Sequence, residues 1–495
     1  MRYLVLYIAF SVLTVTFFSS CDKSLLDTSP SNDFTEDIYW QEEADALAAI
    51  NATYAATRGH WYRIVRTIFT PNSLSDGRHI QLQLGTHNPS NEDLFQNWWN
   101  GNYQGIGRAN NLLGNIDQIE MNEELKERIK GEARFLRAFF YTDLVSLYGG
   151  VPLILDPPNF EEHKDLPRDS REEVIAQVLN DLDFAIGVLP DSYSGSDIGR
   201  ATTGAALALK TRVLLYEDRW EEAAAVAQEV IQLGEYNLFP DYRGLFMPAN
   251  QNNQEVIFDL QFTEPDYTHS LDVLLERNYA IAPQADLVDS YLMIDGKSIN
   301  NSQLYDPENP YKNRDPRLKQ TIVLEGSMFR GQTVPEDKQF NTGYGYKKNT
   351  TYLDSVSAPV NVNSDLNFIV LRYADLLLMY AEAQNEASGP DESVYEVLNR
   401  IRNRAGMPDV PTGLSQTEMR EIIRHERRIE LAGEGLYYND IRRWRIAEEV
   451  MNTEVFDNNG EFLQSRSFDP ERDYLWPIHE ETIQDNPALD QNPGY

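Results

Sequence analysis

Cysteine is almost missing from this chain: Cys21 is the only one in 495 residues. One thiol cannot build an intramolecular disulfide framework or a multi-cysteine metal site. Positive charge is also scarce, with 43 Lys and Arg against 78 Asp and Glu and a formal net charge of −35. A surface that acidic repels phosphate backbones and anionic headgroups, which excludes sequence-independent nucleic-acid binding. The seven histidines are scattered, and no HExxH, GxSxG or phosphate-loop motif is present. A glycosidase needs two carboxylates facing each other across a sugar, and among 78 acids no pair stands out. The chain thus announces no enzyme. It announces no cofactor either: dispersed histidines cannot assemble an ordinary zinc site, although a Ca²⁺ held by carboxylates stays open.

What the chain does have is material for a core, with 41% hydrophobic and 24% charged residues, as in ordinary globular proteins. The length gives a prior of about three domains. Aromatic residues make up 11%, and 24 Pro with 28 Gly imply long structured loops.

Residues 1–20 combine Arg2, an apolar run from Tyr3 to Phe18 and the small pair Ser19-Ser20, the pattern of a secretory signal peptide. The run is shorter than the ~20 residues of a membrane-spanning helix. Small residues directly before Cys21 resemble a lipobox, with Phe18 where Leu is usual. Cys21 is therefore expected to be lipidated, with residues 21–34 as a tether to the membrane. Acyl chains at ~0.8 kcal/mol per buried CH₂ would hold such a protein durably.

Beyond the tether, apolar spacing predicts helices separated by one long irregular region. Thr35 or Asp37 can cap a first helix that runs to about Tyr54. Residues 59–97 carry the breakers Pro71, Gly77, Gly85 and Pro89 and are predicted as loop, with a helix beginning near Tyr103. A clean stripe from Leu125 to Leu147 stops at Gly149-Gly150, and 171–189 form another helix before Pro190. Helices at 203–217 and 220–234 make a hairpin of about one tetratricopeptide unit, with small Thr211 and Ala223 at the close-packing positions. A second hairpin is predicted at Ile369–Ala387 and Glu392–Ala405. Ser415 with Glu418 forms a capping box. The helical period fades between Leu238 and Asp365, where Val256, Phe258, Leu260 and Phe262 alternate as a strand. The expected fold is all-α, tetratricopeptide-like hairpins with a loop-rich, short-strand subdomain. Scaffold occupies about 35–237 and 366–450, the loop-rich region about 238–365, and a C-terminal segment 451–495.

Ten arginines fall between Arg400 and Arg445, interleaved with acids such as Glu426, Glu430 and Asp440. Pairing with carboxylates inside the scaffold accounts for them better than an exposed basic face.

Several ordered segments carry a family resemblance: Gly131–Ala138 running into Leu147-Tyr148-Gly149-Gly150-Val151-Pro152, Arg372–Leu378, Leu398–Arg402, His425–Leu431, Asp440–Trp444, Leu475–Ile478 and Asn486-Pro487 to Tyr495. Together they resemble the SusD/RagB family of outer-membrane nutrient-binding lipoproteins. The resemblance implies an all-α, tetratricopeptide-like fold and a surface-exposed lipoprotein of the outer membrane. It also implies a partner, a SusC-like TonB-dependent transporter, to which oligosaccharide or polysaccharide is delivered. The alternative is a structural lid of that transporter without tight soluble-ligand binding.

Sugars present apolar C–H faces, so a flat ring covering some 50–80 Å² at about 25 cal/mol per Å² is worth roughly 1–2 kcal/mol. Trp99, four residues before Tyr103, falls on the helical stripe and is placed in the core. Trp98 points elsewhere and is the first ligand candidate. Asp76, Arg78 and His79 share its loop and offer polar groups to hydroxyls, and Tyr279, Tyr344 and Tyr346 are the candidates from the long irregular region. The ligand face is expected where residues 59–98 and 265–350 meet.

Overall fold

The computed structural model describes residues 39–75, 77–277, 280–335 and 342–495. The leader, Cys21, the tether, Asp76 and Tyr279 lie outside the described residues.

Helix α1, Glu43–Thr57, opens where the Asp45 carboxylate accepts the Glu42 N–H at 2.8 Å. The chain then tightens into a 3₁₀ segment, Arg58–Phe69, in the stretch predicted as loop. Helices α2 (Asp93–Asn115), α3 (Glu123–Tyr148) and α4 (Arg171–Val188) follow, then α5 (Thr203–Tyr216) and α6 (Trp220–Leu233). Ser170 and Glu173 cap α4 reciprocally. Each helix packs on the next in sequence, α1 on α2 through α5 on α6, as hairpin repeats do. Gly105 lets α2 and α3 approach closely, since a Cβ there would sit 2.3 Å from the Phe140 ring.

The chain leaves this stack at Gly234 and returns at α7, Tyr373–Ser388, which packs on α6 as if the two were consecutive. Helices α8 (Glu392–Ala405) and α9 (Gln416–Glu430) then pack against or follow α7. The Ser415–Glu418 capping box is present, and α10 spans Tyr437–Arg443. The expectation of a helix from Ile369 is corrected at its start. Phe368–Arg372 is a strand, antiparallel to Val256–Leu260, because a β-branched and aromatic run meets an open edge there before the helical period begins.

The excursion between α6 and α7 holds short two-stranded ladders. One joins it to the N-terminal part: Ser73 pairs with Pro283 and Leu74 with Ala282.

A buried charge network fastens the excursion to the later helices. Arg317, Lys348, Arg372, Arg402 and Arg404 face Glu255, Asp315, Glu426, Glu430 and Glu434, five of each sign. Arg372 donates to Glu255 at 2.8 Å and to Glu430 at 2.7 Å, while Arg317 reaches Glu426 at 2.6 Å and Glu430 at 2.9 Å. Burial alone would raise the Glu430 pKa, but Arg404, Arg372 and Arg317 outweigh it and hold the carboxyl well below the usual range. Among the described residues the pairing expected for the Arg400–Arg445 cluster is met at seven of its ten arginines, with many acids drawn from outside that stretch: Glu255, Asp286, Asp375, Glu382 and Glu386. Among the described residues no helix is long and apolar enough to cross a membrane.

Candidate functional site

The 3₁₀ segment and the turn after β-strand Val256–Leu260 bring two sets of rings together, Trp61 with Tyr62 and His269, and Tyr267 with Arg58. Thr263 and Tyr267 exchange backbone hydrogen bonds at 2.8 and 2.9 Å, so the Glu264-Pro265-Asp266 turn projects Tyr267 outward, 47% exposed. The Arg58 guanidinium lies 3.7 Å from the Tyr267 ring centroid and covers one face of it. Arg58 Nε also donates to the Gln261 carbonyl at 3.3 Å. Trp61 stacks on His269 with centroids 5.2 Å apart and planes at 26°, and meets Tyr62 edge-on at 5.4 Å. Phe262 supports His269 from below at 4.5 Å.

The polar groups of the patch are set by their neighbours. His269 Nδ1 accepts the Leu271 N–H at 3.2 Å, so its proton is on Nε2, which donates to the Leu366 carbonyl at 2.7 Å. Burial lowers its pKa, and a neutral ring is what Trp61 stacks on. Tyr62 Oη lies 3.0 Å from His79 Nε2, and His79 Nδ1 lies 3.0 Å from a Glu92 carboxylate oxygen. Trp61 and Tyr62 are half-buried, which leaves ring area for a flat apolar ligand face without letting the rings rotate freely. The arrangement can hold a sugar ring by C–H contact with Trp61, Tyr62 and Tyr267.

The residues singled out from the sequence fall differently. Trp98 is 8% exposed and not at an open edge. Helix α2 starts at Asp93, ten residues earlier than expected, so Trp98 and Trp99 both lie on its buried arc. The Trp98 indole donates to Asp143, and Arg66 lies 4.5 Å over its ring. Tyr344 (5% exposed) and Tyr346 (1%) are core residues too. Tyr346 shares a 2.8 Å hydrogen bond with Ser73 Oγ, while Tyr344 accepts from Tyr311 at 3.4 Å. Aromatic rings on short strands of a folded excursion are drawn inward by their area. His79 lies beside the patch but commits both ring nitrogens to Tyr62 and Glu92, so it orients a ring and offers hydroxyls nothing. Arg78 is exposed, its carbonyl accepting from Ser75 and Gln83 at 2.8 and 2.7 Å.

Trp61, Tyr62 and Tyr267 are not among the residues the sequence singles out, because the first two sit in a stretch crowded with chain breakers. The signals were present: a Trp-Tyr pair two residues after Gly59, and an aromatic directly after a Pro-Asp turn.

A repeat scaffold of helices that presents an aromatic patch has the form of a binding module. The chain belongs to the SusD family: the SusD family model matches residues 251–495, and the model for starch-binding proteins associating with the outer membrane matches residues 24–215. A SusD-like protein from Bacteroides fragilis is 30% identical, with 94% of this chain and all of that one covered and a TM-score of 0.81. A SusD-like carbohydrate binding protein from the same organism is 28% identical, with 91% of this chain and all of that one covered and a TM-score of 0.84. A laminarin binding SusD-like protein is 27% identical over 92% of this chain and all of that one, at a TM-score of 0.72. The family is one of carbohydrate-binding proteins, not of enzymes.

Proposed function

We propose that this protein is a lipid-anchored, surface-exposed lipoprotein of the outer membrane that captures an oligosaccharide or polysaccharide and passes it to a SusC-like TonB-dependent transporter. The observation that carries the binding part is the ring patch of Trp61 and Tyr62, half-buried, and Tyr267, 47% exposed, braced by His269 and Arg58. Family membership and the carbohydrate-binding and laminarin-binding neighbours support the same reading. The expected lipobox at Cys21 supports the anchor. Two or three rings at roughly 1–2 kcal/mol each, with a few polar contacts, suit Kd values of about millimolar to micromolar.

Calorimetry of the full chain in detergent against a glycan panel that includes laminarin and starch tests this directly. Binding of at least one glycan in that range is the expected result. If none binds while the protein still co-purifies with a SusC-like barrel, the lid reading replaces it. Growth of a strain deleted for this protein on the bound glycan tests delivery, and slowed growth is expected.

A further inference from the structure

Three of the segments that carried the family resemblance meet far from one another in sequence. The Trp476 N–H donates to the Leu147 carbonyl at 2.7 Å, and the Arg442 guanidinium donates to the Tyr474 carbonyl. Gly149 has φ +76° and a Cβ there would lie 3.2 Å from the Leu475 side chain, while a Cβ on Gly150 would lie 2.2 Å from the Asp169 carbonyl oxygen. Between them and the C-terminus of α5 lies a cavity of about 570 Å³. It is separate from the ring patch and shares no residue with it.

The lining of this cavity is polar and incompletely satisfied. Tyr216 Oη, Asn439 Oδ1 and Arg442 Nε are buried with no hydrogen-bond partner. Arg442 is 5% exposed; its guanidinium donates to the carbonyls of Ser146 and Tyr474 and lies 4.7 Å over the Tyr438 ring. No carboxylate lies within ion-pair distance of Arg442 or Arg445 among the described residues, whereas neighbouring Arg443 is neutralised by Glu382 and Asp440. Arg445 is held 4.2 Å over the Tyr474 ring. A buried guanidinium without a counter-charge is costly; of the two carboxylates that line the cavity, Glu217 is paired with Arg171 at 2.5 Å, and neither Glu217 nor Asp218 reaches ion-pair distance of Arg442.

We propose that this cavity is a second ligand site, one that takes an oxyanion-bearing sugar unit: a uronate carboxylate or a sugar sulfate. The oxyanion faces Arg442 Nε and Arg445, and ring hydroxyls donate to Asn439 Oδ1 and the Asp218 carboxylate. The volume falls within the range of small-molecule sites, ~300–1,000 Å³. A lone inorganic anion would leave most of it unfilled and the two acceptors unmatched.

The test is calorimetric titration of the full chain in detergent with D-glucuronate, D-glucose 6-sulfate, D-glucose and sodium sulfate. Glucuronate or glucose 6-sulfate should bind at least about tenfold more tightly than glucose and than sulfate, and more weakly as salt rises. The uronate and sulfate arms show which oxyanion the site takes. Arg445→Gln, an exposed position, should lower the affinity at least about tenfold with an unchanged melting temperature, and Trp61→Ala should leave it unaltered. Tyr216→Phe, which deletes only the unpartnered hydroxyl, is the second variant and should weaken binding in the same direction. Equal binding of glucose, sulfate as tight as either sugar (an adventitious ion only), no binding of any probe, or indifference to both variants overturns the proposal. Loss with Trp61→Ala and not with Arg445→Gln would also overturn it, because the anion would then be at the ring patch.

Discussion

The Trp98 indole N–H donates to the Asp143 carboxylate, which also accepts two hydrogen bonds from Arg66 at 3.0 and 2.9 Å. Arg63 and His60 stand 3.8 and 3.5 Å from the same carboxylate. Burial opposes ionisation of Asp143, but Arg66, Arg63 and His60 prevail and keep its pKa well below the ordinary value. Trp98 is thus a member of a buried polar cluster between the 3₁₀ segment, α2 and α3. Trp98→Ala should destabilise the protein by about 3–5 kcal/mol, read from denaturant unfolding. Glycan affinity per folded molecule should stay unchanged. A drop in affinity with stability intact would show that Trp98 reaches the ligand.

The ring patch carries the reverse expectation. Trp61→Ala and Tyr267→Ala should each weaken glycan binding by roughly 1–2 kcal/mol. The effect on stability should be smaller for Tyr267, since it is 47% exposed. Calorimetry against the panel's best ligand, with melting temperatures in parallel, checks both.

Removing one member of the balanced charge network should be severe. Arg372→Met leaves Glu255, Glu430 and Glu434 short of a buried partner, and breaking such a pair costs about 3–5 kcal/mol. Equilibrium unfolding measures this. A change under about 1 kcal/mol would mean that water replaces the guanidinium.

Two histidines set an acid sensitivity. Burial lowers His60 to about 3 and His87 to about 4, against an ordinary value of 6.5. Between those values and 6.5 the unfolded chain binds protons that the folded one does not, so their contribution to stability is full above pH 6.5 and is lost as pH falls toward 3–4. Asp259, raised to about 6 by burial, works the other way: its contribution is full below 3.8 and is lost as pH rises through about 6. Asp259→Asn should therefore steepen the acid side of the melting-temperature profile. The ring protons of His60 and His87 should not titrate above pH 5 in NMR spectra.

Cys21→Ala should leave the body folded and release it from the membrane fraction, because residues 22–32 offer little apolar surface of their own. Fractionation after carbonate washing, in a strain lacking the SusC-like barrel, reads the result. Retention there would place the anchor elsewhere.

Local patterns carried much of the scaffold into view. Helices ending at Tyr148 and Val188, the α5–α6 hairpin and the Ser415–Glu418 cap follow from apolar spacing, capping side chains and the glycines or prolines beyond. Those are nearest-neighbour effects within a few residues. The start of α2 was misplaced because Leu94, Phe95, Trp98 and Trp99 continue its buried arc through a stretch that looked irregular beside its prolines and glycines. The start of α7 was misplaced because Phe368–Arg372 finds a strand partner more than a hundred residues away.

The sequence by itself determined that the body is helical, acidic and without multi-cysteine chemistry, and it paired residues 59–98 with 265–350, although the first of these is largely 3₁₀ and α-helical and not loop. These do meet, through Ser73 with Pro283 and Trp61 with His269. Only the tertiary structure decided which rings there stay half-exposed. Burial depends on what arrives from elsewhere in the chain: Asp143 and Arg66 enclose Trp98, Ser73 holds Tyr346, and Tyr267 stays outside on its turn. The unpaired state of Arg442 has the same origin, because its neighbours come from separated segments and none brings a carboxylate within ion-pair distance of it.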